Sequence, residues 1–196
     1  MKALKVSIVV IMGVFVCVAG AAAILMFIVL HKPDIGPFNV NDISSDETSL
    51  SIATDLSTGK GTRLITKTNI DGYLISMFTV YPYDGEFGIA KFEPLRKKDR
   101  YKFGSAVFSK DPIQVIRFRT KEKEMLAIGI RRESRLQKLI VRRGEEKVEK
   151  TWDTERDVLE VIHFSSRGST DEIILTGYDS QGLEQANVRI PPESGK

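Results

Sequence analysis

Chemistry in this chain would have to be built from two histidines, one cysteine and a scatter of carboxylates. His31 ends a long apolar run, where an interfacial polar residue needs no further role. His163 stands in the apolar stretch Val161-Ile-His-Phe164 and reads as a strand-face residue rather than a base. Cys17 lies inside the N-terminal apolar run, so no Cys–His pair can form in the rest of the chain. A Ser–His arrangement would need His163, and no Gly-x-Ser-x-Gly turn accompanies it. No spacing of histidine, cysteine and carboxylate suits a metal. The pairs Asp46/Glu47 and Glu145/Glu146 sit in turn-like stretches and read as solvated charge. The expectation is a non-catalytic protein with no cofactor and no metal.

Binding chemistry is better represented. The run Arg131–Arg143 holds the cations Arg131, Arg132, Arg135, Lys138, Arg142 and Arg143 against Glu133 alone. These six are the candidate residues for an anionic surface, such as lipid headgroups, an acidic envelope polymer or a partner's acidic face. Their plain alternative is a set of solvated strand faces that discourage edge pairing. A second basic run, Arg96–Lys102, flanks Asp99. The net charge is only +3, so no global field points to nucleic acid. The aromatics Tyr73, Phe78, Tyr81 and Tyr83 would make a recognition strip if exposed together, or core and turn residues if not.

The element that must position everything else is at the N-terminus. Val6–Leu30 is a 25-residue run whose only polar side chain is Ser7, apart from the thiol of Cys17. As a helix it reaches ~37 Å, more than a ~30 Å hydrocarbon core, and in lipid the helix is the state that pairs every backbone group. An uncleaved transmembrane anchor is expected. A signal peptide cut near Ala19-Gly-Ala-Ala-Ala23 would leave Ile24–Leu30 as an apolar new terminus, and a buried core helix is the third option. Lys2, Lys5 and the α-amine precede the run, while Lys32 is offset by Asp34, which favours a cytoplasmic segment 1–5 and an extracytoplasmic remainder. Gly13, Cys17 and Ala21 recur every four residues and are the candidate helix–helix contact, hence a possible route to a homo-oligomer. Residues 31–37, with Pro33, Gly36 and Pro37, read as a linker.

Downstream the chain reads as short strands separated by turn residues. Candidate strands are 38–43, 49–54, 62–68, 73–80, 87–92, 101–108 and 113–120, then 125–130, 136–141, 147–152, 158–164, 172–177 and 185–190. Leu50 and Ile52 share a face, as do Val115, Arg117 and Arg119 opposite Ile116 and Phe118. Without a cysteine after Cys17, no disulfide can hold this region. The tail 191–196 is polar and expected to be disordered.

Leu95-Arg-Lys-Lys-Asp-Arg-Tyr101, followed by Ile113-Gln-Val-Ile-Arg-Phe-Arg-Thr120, resembles the last two strands of a fibronectin type III domain. That likeness implies a corner in which the Tyr101 hydroxyl bonds the preceding backbone. Trp is absent from the second strand, where Ala53 stands. Ile173-Ile-Leu-Thr-Gly-Tyr-Asp-Ser-Gln-Gly182 and Ala186-Asn-Val-Arg-Ile190 resemble the closing hairpin of bacterial immunoglobulin-like repeats, with Asp179 closing the turn and Gly182 at positive φ. The implied architecture is all-β: two tandem immunoglobulin-like or fibronectin-like sandwiches, 38–121 and 124–190, after one transmembrane helix. The alternative is one extended β domain. The expected role is a membrane-anchored interaction or scaffold module at the cell envelope. A subunit of an envelope assembly, with its helix packed among partner helices, is the alternative.

Overall fold

The computed structural model describes residues 38–82, 85–120, 123–153, 155–165 and 171–192. The expected membrane run 6–30, its Gly13–Cys17–Ala21 face and the linker 31–37 lie outside the described residues. Among those described, no helix is long and apolar enough to cross a membrane.

The expected strand 49–54 is a helix. Asp46 caps the N-terminus of α1 (Glu47–Thr58), its Oδ1 accepting the Ser49 N–H at 2.8 Å, and Gly59 ends it at φ 70° with its N–H on the Asp55 carbonyl. A carboxylate cap three residues before its donor and a glycine that takes the left-handed region at low cost are strong local stop and start signals. The buried residues Leu50, Ala53 and Thr54 follow three- and four-residue spacing, which overrides the two-residue alternation of Leu50 and Ile52. The expected first strand shortens to β1 (Ile43–Ser44), because Asn39–Asp42 is a turn closed by the Asp42 N–H on the Asn39 carbonyl.

The remaining strands form three antiparallel sheets. The first holds β1 with β2 (Gly61–Ile70), β3 (Tyr73–Tyr81), β4 (Phe87–Pro94) and β5 (Arg100–Ser109), in the order β1-β5-β4-β3-β2. A central sheet holds β6 (Ile113–Arg119), β7 (Glu124–Ile130) and β10 (Val158–Phe164), in the order β10-β7-β6. An outer sheet holds β8 (Lys138–Arg143), β9 (Glu146–Thr151), β11 (Ile173–Tyr178) and β12 (Glu184–Ile190), in the order β12-β11-β8-β9.

Every residue of β7 is buried, and the reason is legible in its two faces. Leu126, Ile128 and Ile130 join Leu139, Val141, Ile173 and Leu175 in the core shared with the outer sheet. Met125 and Ala127 join Ile75, Met77, Phe87 and Ile89 in the core shared with the first sheet. A strand apolar on both faces is stable only between two covering layers. Gly129 lets those layers close, since a Cβ there would lie 2.6 Å from Ile89 Cγ2. On the far side of the first sheet, Leu74, Phe78 and Phe92 are buried on the face opposite Ile75 and Met77, where α1 packs with Leu50 and Ala53.

The two-sandwich division is therefore corrected. The residues from Asn39 onward are one compact unit. The expected boundary at 121–124 falls in the β6–β7 hairpin, whose strands pair from Ile113↔Ile130 to Arg119↔Glu124 and form the middle layer. The coarse class holds: the described residues form stacked antiparallel sheets with one α-helix, and β7 contributes to the cores on both of its faces. The Tyr101 hydroxyl, expected on the preceding backbone, accepts instead from Asn69 Nδ2 at 2.9 Å.

Candidate interaction surfaces

Thirteen residues of sequence place the six candidate cations in three different environments. The Arg131 side chain is largely covered: it meets Glu133 at 2.9 Å and Asp157 at 3.1 Å, and its guanidinium lies 5.8 Å from the Phe87 ring. Arg132 opens the short 3₁₀ turn Arg132–Ser134 and is well exposed, with Glu133 at 3.6 Å. Arg135 caps that turn in the left-handed region, φ 58°, and its side chain is exposed.

The remaining three lie on β8 and are sorted by strand alternation. Val141 faces Val148 and Leu175, so its row is the core row. Lys138 and Arg142 consequently point to the open face of the outer sheet. Register places Lys147, Arg142, Ile174 and Arg189 in one row across β9, β8, β11 and β12. Lys138 and Lys147 share Glu149, at 2.5 and 3.3 Å, and the hydrogen bond from Lys138 holds that carboxyl below its usual range. Arg189 approaches Glu172 at 3.8 Å. Among the described residues Arg142 makes no ion pair.

Arg143 is not a surface residue, contrary to the sequence expectation. It points into the stack, where Nη1 donates to Glu124 Oε2 at 3.0 Å and Nη2 to Glu146 Oε2 at 3.2 Å, with the guanidinium 4.2 Å from the Phe164 centroid. Glu124 also accepts from Arg117 Nε. Glu146 Oε1 accepts the backbone N–H and hydroxyl of Ser165, and Arg117 Nη1 reaches the Pro191 carbonyl at 3.2 Å. Two cations and two anions thus tie β6, β7, β8, β9 and the ends of β10 and β12. The tail expected to be loose from 191 begins with a held carbonyl. Sequence reasoning missed this cluster because Glu124 and Arg117 sit in separate runs, and only pairing of β6 with β7 and stacking of β8 unite them. The one signal available was the alternation that sets Arg117 on the face of Val115.

Among the described residues, two of the surface grooves are wide and open. One, of about 390 Å³, runs between Thr66, Lys67 and Thr68 of β2 and Trp152, Arg156 and Glu160 near β10. Its aromatic wall is fixed, since the Trp152 indole N–H donates to the Leu136 carbonyl at 2.8 Å. The other, of about 500 Å³, is lined by Ser134, Arg135, Gln137, Asp179, Gln181 and Gln185. Asp179 is committed to its own turn: its carboxylate accepts the Leu183 and Gln181 N–H groups at 3.0 and 2.9 Å, and these bonds lower its pKa. That turn, with Gly182 at φ 78°, has the form expected from the sequence. Both grooves offer polar hydrogen bonding rather than a deep apolar chamber.

The other sequence candidates separate likewise. Tyr73 packs at a tilt against Phe118, with ring centroids 5.5 Å apart, Phe78 is fully buried, and Tyr81 is 75% exposed, so they form no common strip; Tyr83 lies outside the described residues. His163 is exposed on β10 opposite Met125. Asp46, expected as solvated charge, is a helix cap. The Ser44 hydroxyl and the Ser49 N–H hold its pKa down to about 2. Among the described residues no group of His, Cys, Asp and Glu is placed to hold a metal. No family model, no curated protein and no solved structure matches the chain.

Proposed function

We propose that the chain is a single-pass membrane protein whose β unit stands outside the cytoplasm and serves as a non-catalytic interaction module. The observation that carries this reading is the juxtaposition, in the chain, of the apolar run Val6–Leu30 with a unit that closes its own core from Asn39 onward. An apolar run of that length settles in lipid, and the lysines before it favour an inside N-terminus. The module's partner is anionic, met by the exposed Arg132, Arg135 and Arg142 rather than by the whole run 131–143.

Protease shaving of spheroplasts, read with an antibody to the C-terminus, tests the topology. Digestion of the β unit from outside is expected. Full protection of the C-terminal part, with release only on lysis, refutes it.

A further inference from the structure

A sheet edge is a row of unpaired backbone N–H and C=O groups, and folded proteins blunt such rows with short strands, charges, bulges or covering chain. Of the six sheet edges among the described residues, five are blunted. β1 has two residues. β2 carries the exposed Arg63 and Lys67, and a bulge at Ile65 breaks its pairing. Four of the six residues of β9 are charged. The edge of β10 lies beside Trp152, and Lys150 reaches its Glu160 at 3.6 Å. β6 ends in Arg117 and Arg119, the first of which holds the Pro191 carbonyl.

β12 is different. Its charges, Glu184 and Arg189, stand near its two ends, and Gln185, Ala186, Asn187 and Val188 between them are neutral. The bulge in its ladder with β11 falls at Gly177/Tyr178, opposite its first residues, and leaves 186–190 in regular register. The phase of that ladder fixes which backbone groups are left over. The Asp179 N–H bonds the Leu183 carbonyl, so Asp179 points toward β12. Backbone groups alternate in direction along a strand, so Gly177, Leu175 and Ile173 point the same way. Their partners Ala186, Val188 and Ile190 point back to β11. On the other side of the sheet, the Trp152 N–H on the Gln137 carbonyl gives the same phase through β8. Asn187 and Arg189 therefore turn their N–H and C=O groups to the open edge. Among the described residues, no backbone bond meets them there. On the inner face, Ala186, Val188 and Ile190 are only partly buried at the rim of the core. Unpaired backbone and an unfinished apolar row thus lie along the same five residues.

A second copy of the strand completes both. Two β12 strands related by a twofold axis run antiparallel, and any register that sets inner side chains against outer ones is excluded. Centring the pair on Arg189 opposes two guanidinium groups, and centring it on Asn187 sets Ile190 against Glu184. Centring on Val188 does neither. Val188 then faces its own copy, Ala186 faces Ile190, and Arg189 faces Asn187, with the outward N–H and C=O of each bonded to the other. We infer that two copies of this chain join antiparallel through 186–190, centred on Val188, so that their outer sheets become one continuous sheet. The pairing depends neither on the anionic-partner reading nor on the membrane run. Five residues of edge bury well under the ~1,000 Å² of a lasting interface, so the pair forms and separates rather than staying closed.

Oxidative trapping suits such a pair. In this register the two Val188 residues are a non-hydrogen-bonded pair ~4.5 Å apart at Cα, within disulfide reach. Two Asn187 residues are diagonal neighbours about 7–8 Å apart, beyond it. The test uses the full chain in detergent with Cys17→Ala, which removes its one cysteine. Single cysteines enter as Val188→Cys, Asn187→Cys, Arg189→Cys or, on α1, Ser57→Cys, and each protein is oxidised with copper phenanthroline. A disulfide-linked dimer is expected at 188, about tenfold above the yield at 187, 189 or 57. Asn187→Cys mixed with Arg189→Cys is expected to give a mixed dimer that neither gives alone, which keeps the test open if Val188→Cys disturbs the inner face. Asn187→Pro, added to Val188→Cys, deletes an outward N–H without touching the β11 ladder and lowers the linked share about tenfold. Unchanged Trp152 emission shows that each variant keeps its fold. Equal yields at all four sites are collisions and overturn the pairing, as does the absence of both the 188 dimer and the mixed dimer. Linkage strongest at 187 or 189 overturns the Val188 register. A yield that Asn187→Pro leaves unchanged overturns the backbone contact.

Discussion

Arg142 lies on the open face of the outer sheet in a row with Lys147 and Arg189, whereas the side chain of Arg143, one residue on, is 1% exposed between Glu124, Glu146 and the Phe164 ring. Residue type, local sequence and strand are the same for both. The difference is the direction of the pleat, and it reverses the physics of the charge. On the open face an arginine is solvated, and its pairings are worth a few tenths of a kcal/mol to about 1 kcal/mol. In the stack a guanidinium must be paired and hydrogen-bonded, because an uncompensated buried charge costs several kcal/mol. One basic run thus contributes a structural pin and an open-face cation side by side.

Truncating the two residues separately sharpens that contrast. Arg143→Ala leaves Glu124 with Arg117 alone and Glu146 without its inward partner. A loss of about 3–5 kcal/mol is expected in urea unfolding followed by Trp152 fluorescence. A loss under about 1 kcal/mol would show that Arg117 alone satisfies Glu124.

Gly129→Ala tests the layer that the cluster braces. The new methyl meets Ile89 Cγ2 at 2.6 Å, a branch methyl of a stiff, fully buried side chain, so the two sheets must move apart to admit it. About 1–3 kcal/mol is expected, read as a lower thermal midpoint.

Asp46→Ala is expected to cost about 1 kcal/mol through loss of the α1 cap. The folded pKa, about 2, lies below the ordinary carboxylate value of about 3.9. Its contribution is therefore complete above about pH 4 and disappears as pH falls through about 2. The gap between the wild-type and variant midpoints is expected to shrink over that window and to stay constant above about pH 5.

Arg142→Ala is the smallest, within about 0.5 kcal/mol of wild type in the same urea experiment. A larger loss would mean that the open face is covered by something the described residues do not include.

Much of the secondary structure was legible in the sequence. All eleven strand positions from Thr62 to Ile190 can be read from apolar and β-branched runs between turn residues, as β3, β6 and β10 show. The Asp179 turn is also local chemistry, a carboxylate accepting N–H groups two and four residues on. The helix α1 was legible in principle, through Asp46, Glu47 and Gly59, but the short alternation at Leu50 and Ile52 obscured it. The candidate surface was half legible: Arg132, Arg135 and Arg142 are exposed as charge predicts, while Arg131 and Arg143 are not.

By itself the sequence determined the approximate positions of the strands from Thr62 onward, that no disulfide braces them, and that one long apolar run precedes them. Those are properties of neighbouring residues: propensity, turn chemistry and hydropathy. Only the tertiary structure decided that β6 and β7 form a shared middle layer and that Glu124 meets Arg117 and Arg143. Such contacts join residues tens of positions apart. Alternation says that a strand has two faces, and only the packed sheets say what each face touches.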